Sequence, residues 1–209
     1  MTWRALRKWN GSRVVYEYHY DEQQNGGRLT SDDLSFDAAN LPQCGGNEAM
    51  GNEDSYVALG LKVWKAQIDR TNKLFGGLSS EEVLREIAPG RNRLLYLWGH
   101  LTAIHDAMLP LLGLSERLHP EFDVAFVSNP DKSRADIPSH EQVRQAWNNV
   151  NDELSRGFER MSWSDWLQRH SAVSAEDFAE DTSRNRFAIL LSRTNHLSYH
   201  LGQAVLGRK

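Results

Sequence analysis

The chain has 209 residues, of which 40% are hydrophobic, and its 28 acidic side chains against 24 Lys and Arg give a net charge of −4. This size fits one ordinary domain with an extension. No apolar run reaches the roughly 18 residues of a membrane span, and no basic patch marks a nucleic-acid surface, so we expect neither a membrane nor a nucleic acid as a partner. The single cysteine excludes an internal disulfide and a metal cage made only of thiolates.

The first 50 residues differ in composition from the rest. Met1 to Val15 lacks the apolar stretch of a secretory signal, so we expect a cytoplasmic protein. Residues 1–50 are rich in glycine and polar residues and contain one β-like segment, 14–20, for which no partner strand is evident. We therefore predict a poorly structured N-terminal extension, or a true translation start at Met50, and a folded domain over 51–209.

Helical periodicity begins near residue 55. Apolar residues repeat every 3.6 positions up to Phe75, which predicts a first helix. Ser79 to Glu82 reads as a capping box, so we expect a short helix from there to Pro89. A second long helix is predicted over 92–112, although Pro110 disfavours its last turn.

The second half of the chain predicts two more long helices. Residues 113–138 contain Gly and three prolines without a sustained period and indicate a long crossover loop. A capping box at Ser139 starts the third long helix, and residues 162–183 suggest short helical turns. The last helix is predicted over 184–206, capped by Thr182 or Ser183. Four long helices without paired strands predict an all-α four-helix bundle with a long crossover connection.

The most informative residues are His196 and His200, which lie four positions apart on the last helix. This spacing places both imidazoles on one helix face, where two ring nitrogens can bind one cation. His100, near the middle of the second long helix, is the best third ligand, whereas His105 lies about 140° around that helix from it. The alternative is a chance pair, since the apolar residues Phe187, Leu191, Leu201 and Val205 lie nearly opposite the two histidines and would place them in solvent.

Two segments together resemble the DinB-like superfamily of metal-binding four-helix bundles. They are the run from Asn92 to Leu101, which ends Trp-Gly-His-Leu, and the run His-Leu-Ser-Tyr-His-Leu-Gly-Gln from His196 to Gln203. The resemblance covers roughly residues 55–207. It implies a three-histidine site, formed by His100, His196 and His200, that holds a divalent metal ion with positions open to water or substrate, commonly in a homodimer. The N-terminal extension departs from the family pattern.

The resemblance also suggests a reaction class. Three imidazoles suit Zn²⁺ or Ni²⁺ first, with Fe, Mn or Cu as alternatives. Characterised relatives include transferases and isomerases that use low-molecular-weight thiols such as mycothiol or bacillithiol. By analogy, we expect a metal-dependent thiol transferase or hydrolase that activates a small thiol or water for attack on a small-molecule substrate. The alternative is a metal-binding or stress-response binding protein without turnover.

Four further residues are candidates for supporting roles. Gln203 is one turn after His200 and could orient an imidazole or a bound water. Arg193 is one turn before His196 and could bind a substrate carboxylate. Tyr199 and Asp106 are candidate proton carriers. For each of the four, an ordinary solvated or packing role is the alternative.

Other metal and nucleotide sites are excluded by their missing motifs. A di-iron carboxylate bundle needs Glu-x-x-His on two helices, and the single instance, Glu116 to His119, lies between a glycine and a proline. His140-Glu141 begins like a zinc protease motif, but Arg144 occupies the second histidine position. The glycine fingerprints of mononucleotide and dinucleotide sites are also absent.

Overall fold

The structure is a computed structural model that describes residues 52–207 and, in the N-terminal region, two strands. The chain divides into two compact units, Met1–Asn47 and Glu48–Lys209. In the first unit, β1 (Trp3–Trp9) pairs antiparallel with β2 (Val14–Tyr20). The expectation that 14–20 has no partner strand is therefore wrong. The rest of the predicted extension lies outside the described residues.

The missed strand carries a signal in its sequence. Arg4, Arg7 and Lys8 interrupt the apolar alternation of β1, which hides its strand character. The Asn10-Gly11 dipeptide that follows is nevertheless among the strongest short-range indications of a hairpin. The pairing opposes Trp3 to Tyr20 and Trp9 to Val14.

The second unit is mainly helical, as expected for an all-α class. None of its described helices combines the length and apolar character that a membrane span requires. Its α-helices are α1 (Asn52–Phe75), α2 (Leu94–Asp106), α3 (Met108–Leu111), α4 (Phe122–Phe126), α5 (His140–Arg160), α6 (Trp163–Trp166), α7 (Ala175–Glu180) and α8 (Arg186–Leu206). Helix α1 packs against α8, and α2 packs against α4, α5 and α8.

The capping box at Ser79 forms, but the helix after it is shorter than predicted. Ser79 Oγ accepts from the Glu82 amide at 3.2 Å, and the Glu82 carboxylate accepts from the Ser79 amide at 2.9 Å. Only a 3₁₀ turn, Glu82–Leu84, follows. The chain then becomes extended at Arg85, whose carbonyl accepts from the Leu94 amide at 2.9 Å, so these residues pair with the start of α2 instead of continuing the helix.

The long helix predicted over 92–112 is interrupted. Helix α2 ends at Asp106, and the separate turn α3 contains Pro110. A proline has no amide hydrogen, and its ring clashes with the carbonyl four residues earlier, which here is that of Asp106. The helix therefore ends at the residue whose carbonyl the proline displaces.

The crossover over 113–138 is held to α2 at both of its ends. Near its start, the buried Asp106 carboxylate accepts from the Leu118 amide at 2.7 Å and from Arg117 Nε at 2.9 Å. Near its end, Asp131 accepts from the amide and the guanidinium of Arg93, at 2.7 and 2.6 Å. Between these two anchors the chain forms α4, which was not predicted.

The start of α5 agrees with the sequence, whereas the start of α8 does not. Ser139 and Gln142 form the predicted capping box of α5. Helix α8 begins at Arg186, and its N-cap is Asn185, whose side chain accepts from the Ala188 amide at 2.9 Å. Thr182 and Ser183 are therefore not its caps, because the residues before Asn185 still belong to the preceding turns.

The core face of α8 also differs from the expected one. Leu191 and Val205 are 43% and 55% exposed. The buried residues of the helix are Leu190, Thr194, Leu197, Leu201 and Ala204. At 100° per residue, His196 and His200 lie about 80–120° from the centre of this face rather than opposite it. They therefore flank the core, where a half-buried site can form.

Candidate metal centre

The structure brings together His100 on α2 with His196 and His200 on α8. Their ligand nitrogens all lie within 4.8 Å of one another, which makes them a group that could hold a metal ion. The His196 Nε2 atom is 3.3 Å from Nε2 of His100 and 3.1 Å from Nε2 of His200. Nitrogens bound tetrahedrally to one ion at 2.0–2.1 Å are about 3.4 Å apart, so the observed spacing fits shared ligation.

The tautomers of the His100 and His200 rings are fixed by hydrogen bonds at Nδ1, the ring nitrogen that does not face His196. His100 Nδ1 is 2.9 Å from the Phe126 carbonyl, and His200 Nδ1 is 2.8 Å from the Gln203 side-chain oxygen. A carbonyl oxygen only accepts, so each Nδ1 carries the hydrogen and each Nε2 presents its lone pair. Both lone pairs point to His196 Nε2. A cation between the three rings satisfies all of them at once, whereas a single hydrogen does not.

The three rings are suited to ligation at neutral pH because they resist protonation. All are half-buried, and desolvation is the largest cause that lowers the pKa of each. The pKa of His196 falls to about 3 and that of His200 to about 4, since neighbouring imidazoles also disfavour a second positive charge. Metal binding requires neutral imidazole, so little proton competition is expected near pH 7.

Gly99 allows the approach of Phe126 that orients His100. A Cβ added at Gly99 would lie 2.5 Å from the Phe126 ring, far closer than van der Waals contact. The absence of that atom lets α4 lie against α2, where its Phe126 carbonyl reaches His100. We did not predict Phe126 from the sequence, although a glycine inside an apolar helical pattern is a signal of close packing.

The four predicted supporting residues occupy different places. Gln203 Nε2 donates to the hydroxyl of Tyr199 at 3.0 Å, which aims the amide oxygen at His200. Tyr199 itself is 62% exposed. Arg193 is half-buried near the cluster. The Asp106 carboxylate is occupied by the crossover, at Arg117 and two amides, rather than by the three histidines.

His105 belongs to the core and not to the cluster. Its ring lies between Trp64 and Trp147, with centroid distances of 4.7 and 4.9 Å. Its Nδ1 is 3.0 Å from the Asn151 side-chain oxygen. Complete burial lowers the pKa of His105 to about 4, so this imidazole is neutral in the folded protein.

A scan against protein-family models and a search of curated proteins both find no match. Among solved structures, the chain is similar to a crystal structure of a conserved protein from Enterococcus faecalis. The TM-score is 0.51 and the sequence identity 16%, over 73% of this chain and 94% of that chain. At this identity the likeness concerns the fold alone.

Replacing Gly99 with Ala should displace Phe126, whose carbonyl contacts His100 Nδ1, and so disturb the metal site. The added methyl group must displace the Phe126 ring, so we expect a loss of about 1–3 kcal/mol in the free energy of unfolding and about 10-fold weaker metal binding. The control is Gly202→Ala, because no heavy atom lies within 4 Å of a Cβ there. Gly202→Ala should be neutral or stabilising by up to about 1 kcal/mol in urea unfolding. Equal behaviour of the two variants would contradict this role of Gly99.

The metal-free protein should lose stability as the pH falls from about 6.5 to about 4. In this window His105, like the metal-free His196 and His200, takes up a proton in the unfolded chain but not in the folded protein, so acid favours unfolding. The contribution of His105 to the free energy of unfolding is fully present above pH 6.5. As the pH falls below that value, it decreases by at most about 1.4 kcal/mol per pH unit. Urea unfolding in the presence of a chelator measures it. His105→Gln should reduce the slope, and an unchanged slope would refute the assignment.

Proposed function

We propose that residues 52–207 form a DinB-like four-helix bundle of α1, α2, α5 and α8, and that His100, His196 and His200 hold a divalent metal ion. The observation that carries this proposal is that His196 Nε2 lies 3.1–3.3 Å from Nε2 of His200 and of His100, while hydrogen bonds at Nδ1 orient the other two rings. The 92–101 and 196–203 segments support the same family.

We further propose that the site is catalytic and acts on small molecules. Three protein ligands leave a coordination position open, and Zn²⁺ or Ni²⁺ at such a site lowers the pKa of a bound thiol or water, giving a nucleophile at neutral pH. In thiol transfer, the sulfur forms a bond to an electrophilic carbon of the substrate. The thiol proton passes to solvent, and the leaving group departs with its electron pair.

The residues of the chain have distinct tasks in this reaction. The Phe126 carbonyl and the Gln203 amide hold His100 and His200 in the tautomers that present Nε2. The half-buried position of all three rings keeps them neutral and limits the access of bulk water. Electrostatic attraction in such a partly dehydrated site is stronger than in water.

A metal-binding protein without turnover is the second candidate. It is favoured by the absence, among residues 54–207, of any carboxylate within the histidine group that could serve as a general base. Thiol transfer needs no such base once the thiol has lost its proton, whereas attack by water on an unactivated substrate does. The two candidates therefore differ in turnover and not in metal content.

Metal content tests the ligation directly. Untagged wild-type protein should contain about one divalent ion per chain by elemental analysis, and His196→Ala should lose most of it, since two imidazoles make a weak site. His119→Ala is the matched control, because His119 lies in the crossover and not in the cluster. Equal metal content in His196→Ala and wild type would defeat the proposed ligation.

Turnover separates the two candidates. Metal-loaded wild type should accelerate the reaction of at least one small thiol with 1-chloro-2,4-dinitrobenzene, which releases chloride and gives a coloured thioether. His196→Ala and chelator-treated protein should lose this rate, while His119→Ala should keep it. Full metal loading with no acceleration for any member of a thiol panel, or for ester hydrolysis, would favour the binding protein.

A further inference from the structure

Arg193 is a half-buried cation without an anionic partner in the described part of the chain. It lies on α8 one turn before His196, and its charge contributes to the lowered pKa of both His100 and His196. Its Nε atom is enclosed and has no hydrogen-bond partner. Desolvation is the cause that lowers the pKa of Arg193 itself, with no opposing carboxylate.

Two other half-buried arginines show how this fold can neutralise such a charge, whereas Arg186, which lies outside the three-histidine group, also has an enclosed Nε without a partner. Arg93 pairs with Asp131 at 2.6 Å, and Arg117 pairs with Asp106 at 2.9 Å and with Asp123 at 2.5 Å. An unpaired charge removed from water is costly, so buried cations normally have a carboxylate partner. Within residues 54–207, Arg193 has no such partner.

His196 supplies a second unused donor three residues away. When its Nε2 binds the proposed metal ion together with the other two rings, the neutral ring of His196 carries its hydrogen on Nδ1. This Nδ1 is enclosed and has no partner, in contrast to Nδ1 of His100 and of His200. Positions i and i+3 are neighbours on a helix, so Arg193 and His196 together indicate a missing acceptor.

The charge of the site points to the chemistry of that acceptor. The charged groups that affect the three imidazoles are other imidazoles and Arg193, and none is acidic. A divalent ion would add two positive charges. A guanidinium binds a planar carboxylate through two parallel N–H bonds, and one carboxylate neutralises its single charge.

We propose that Arg193 binds a carboxylate group of the molecule that enters the three-histidine site. The site then favours acids, or thiols that carry an acid, over neutral compounds of the same shape. This inference rests on the proposed metal site and names the substrate class that the site accepts. Arg193 is in this account a specificity-determining residue.

The test uses two probes that differ only in this group. 3-Mercaptopropionate and 3-mercaptopropionamide are titrated into the full chain loaded with Co²⁺, whose absorption reports thiolate ligation. Wild type should bind the acid about 10-fold more tightly than the amide, as expected for a charge-assisted bidentate pair. Arg193→Gln should bring the ratio close to one by weakening the acid alone, and Arg193→Lys should retain part of it. Arg156→Gln is the control, because Arg156 is exposed and pairs with Glu153 on α5.

The outcomes separate this inference from the proposed function. The role of Arg193 is overturned if Arg193→Gln keeps the wild-type ratio of acid to amide affinity while its metal content and thermal unfolding are unchanged. The metal site then still stands. Equal affinity of the wild type for the acid and the amide also overturns the role of Arg193 and leaves the metal site standing. Failure of the chain to take up Co²⁺ overturns both proposals. Uptake of Co²⁺ without a spectral response to either thiol overturns thiol binding and the role of Arg193, while the metal site stands.

Discussion

The Nε2 lone pairs of His100 and His200 both face His196 Nε2, at 3.3 and 3.1 Å, and a cation shared by the three rings satisfies all of these nitrogens at once. The fold holds them in this position from outside, since the Phe126 carbonyl and the Gln203 amide oxygen keep the hydrogens of His100 and His200 on Nδ1. Desolvation opposes protonation of all three rings. A cation that is not a proton is therefore the simplest partner of the cluster.

Much of the surrounding structure positions the Phe126 carbonyl. Asp106 and Asp131 hold the two ends of the crossover to α2, and the lack of a side chain at Gly99 lets α4 approach. The loop that looks irregular in sequence is thus fixed by two buried carboxylates. The geometry of the site depends on these contacts as much as on the histidines themselves.

The sequence predicted those parts of the fold that follow from short-range rules. The capping boxes at Ser79 and Ser139 predicted the starts of the 3₁₀ turn and of α5, and the four-residue spacing placed His196 and His200 on one helix face. Pro110 indicated that the last turn of the second long helix was disfavoured, but not how far back the interruption would reach. The proline ring clashes with the carbonyl of Asp106, four residues earlier, and α2 ends there.

The rest depends on tertiary contacts that leave weak signals in sequence. The core face of α8 includes Thr194, which is buried because its hydroxyl donates to the Leu190 carbonyl at 2.7 Å, and hydropathy patterns undervalue such a residue. The Phe126 carbonyl is a backbone group, so no side-chain motif marks it. The missing acceptor beside Arg193 likewise cannot be predicted from sequence, because it depends on which side chains the fold brings to the enclosed guanidinium.

The coordination sphere of a bound ion tests the central claim most directly. X-ray absorption spectroscopy of the Zn²⁺-loaded full chain should show three imidazole nitrogens at about 2.0–2.1 Å, with the remaining position taken by a ligand without an imidazole ring, such as water. A first shell with fewer than three imidazoles, or one dominated by carboxylate oxygens, would contradict the account.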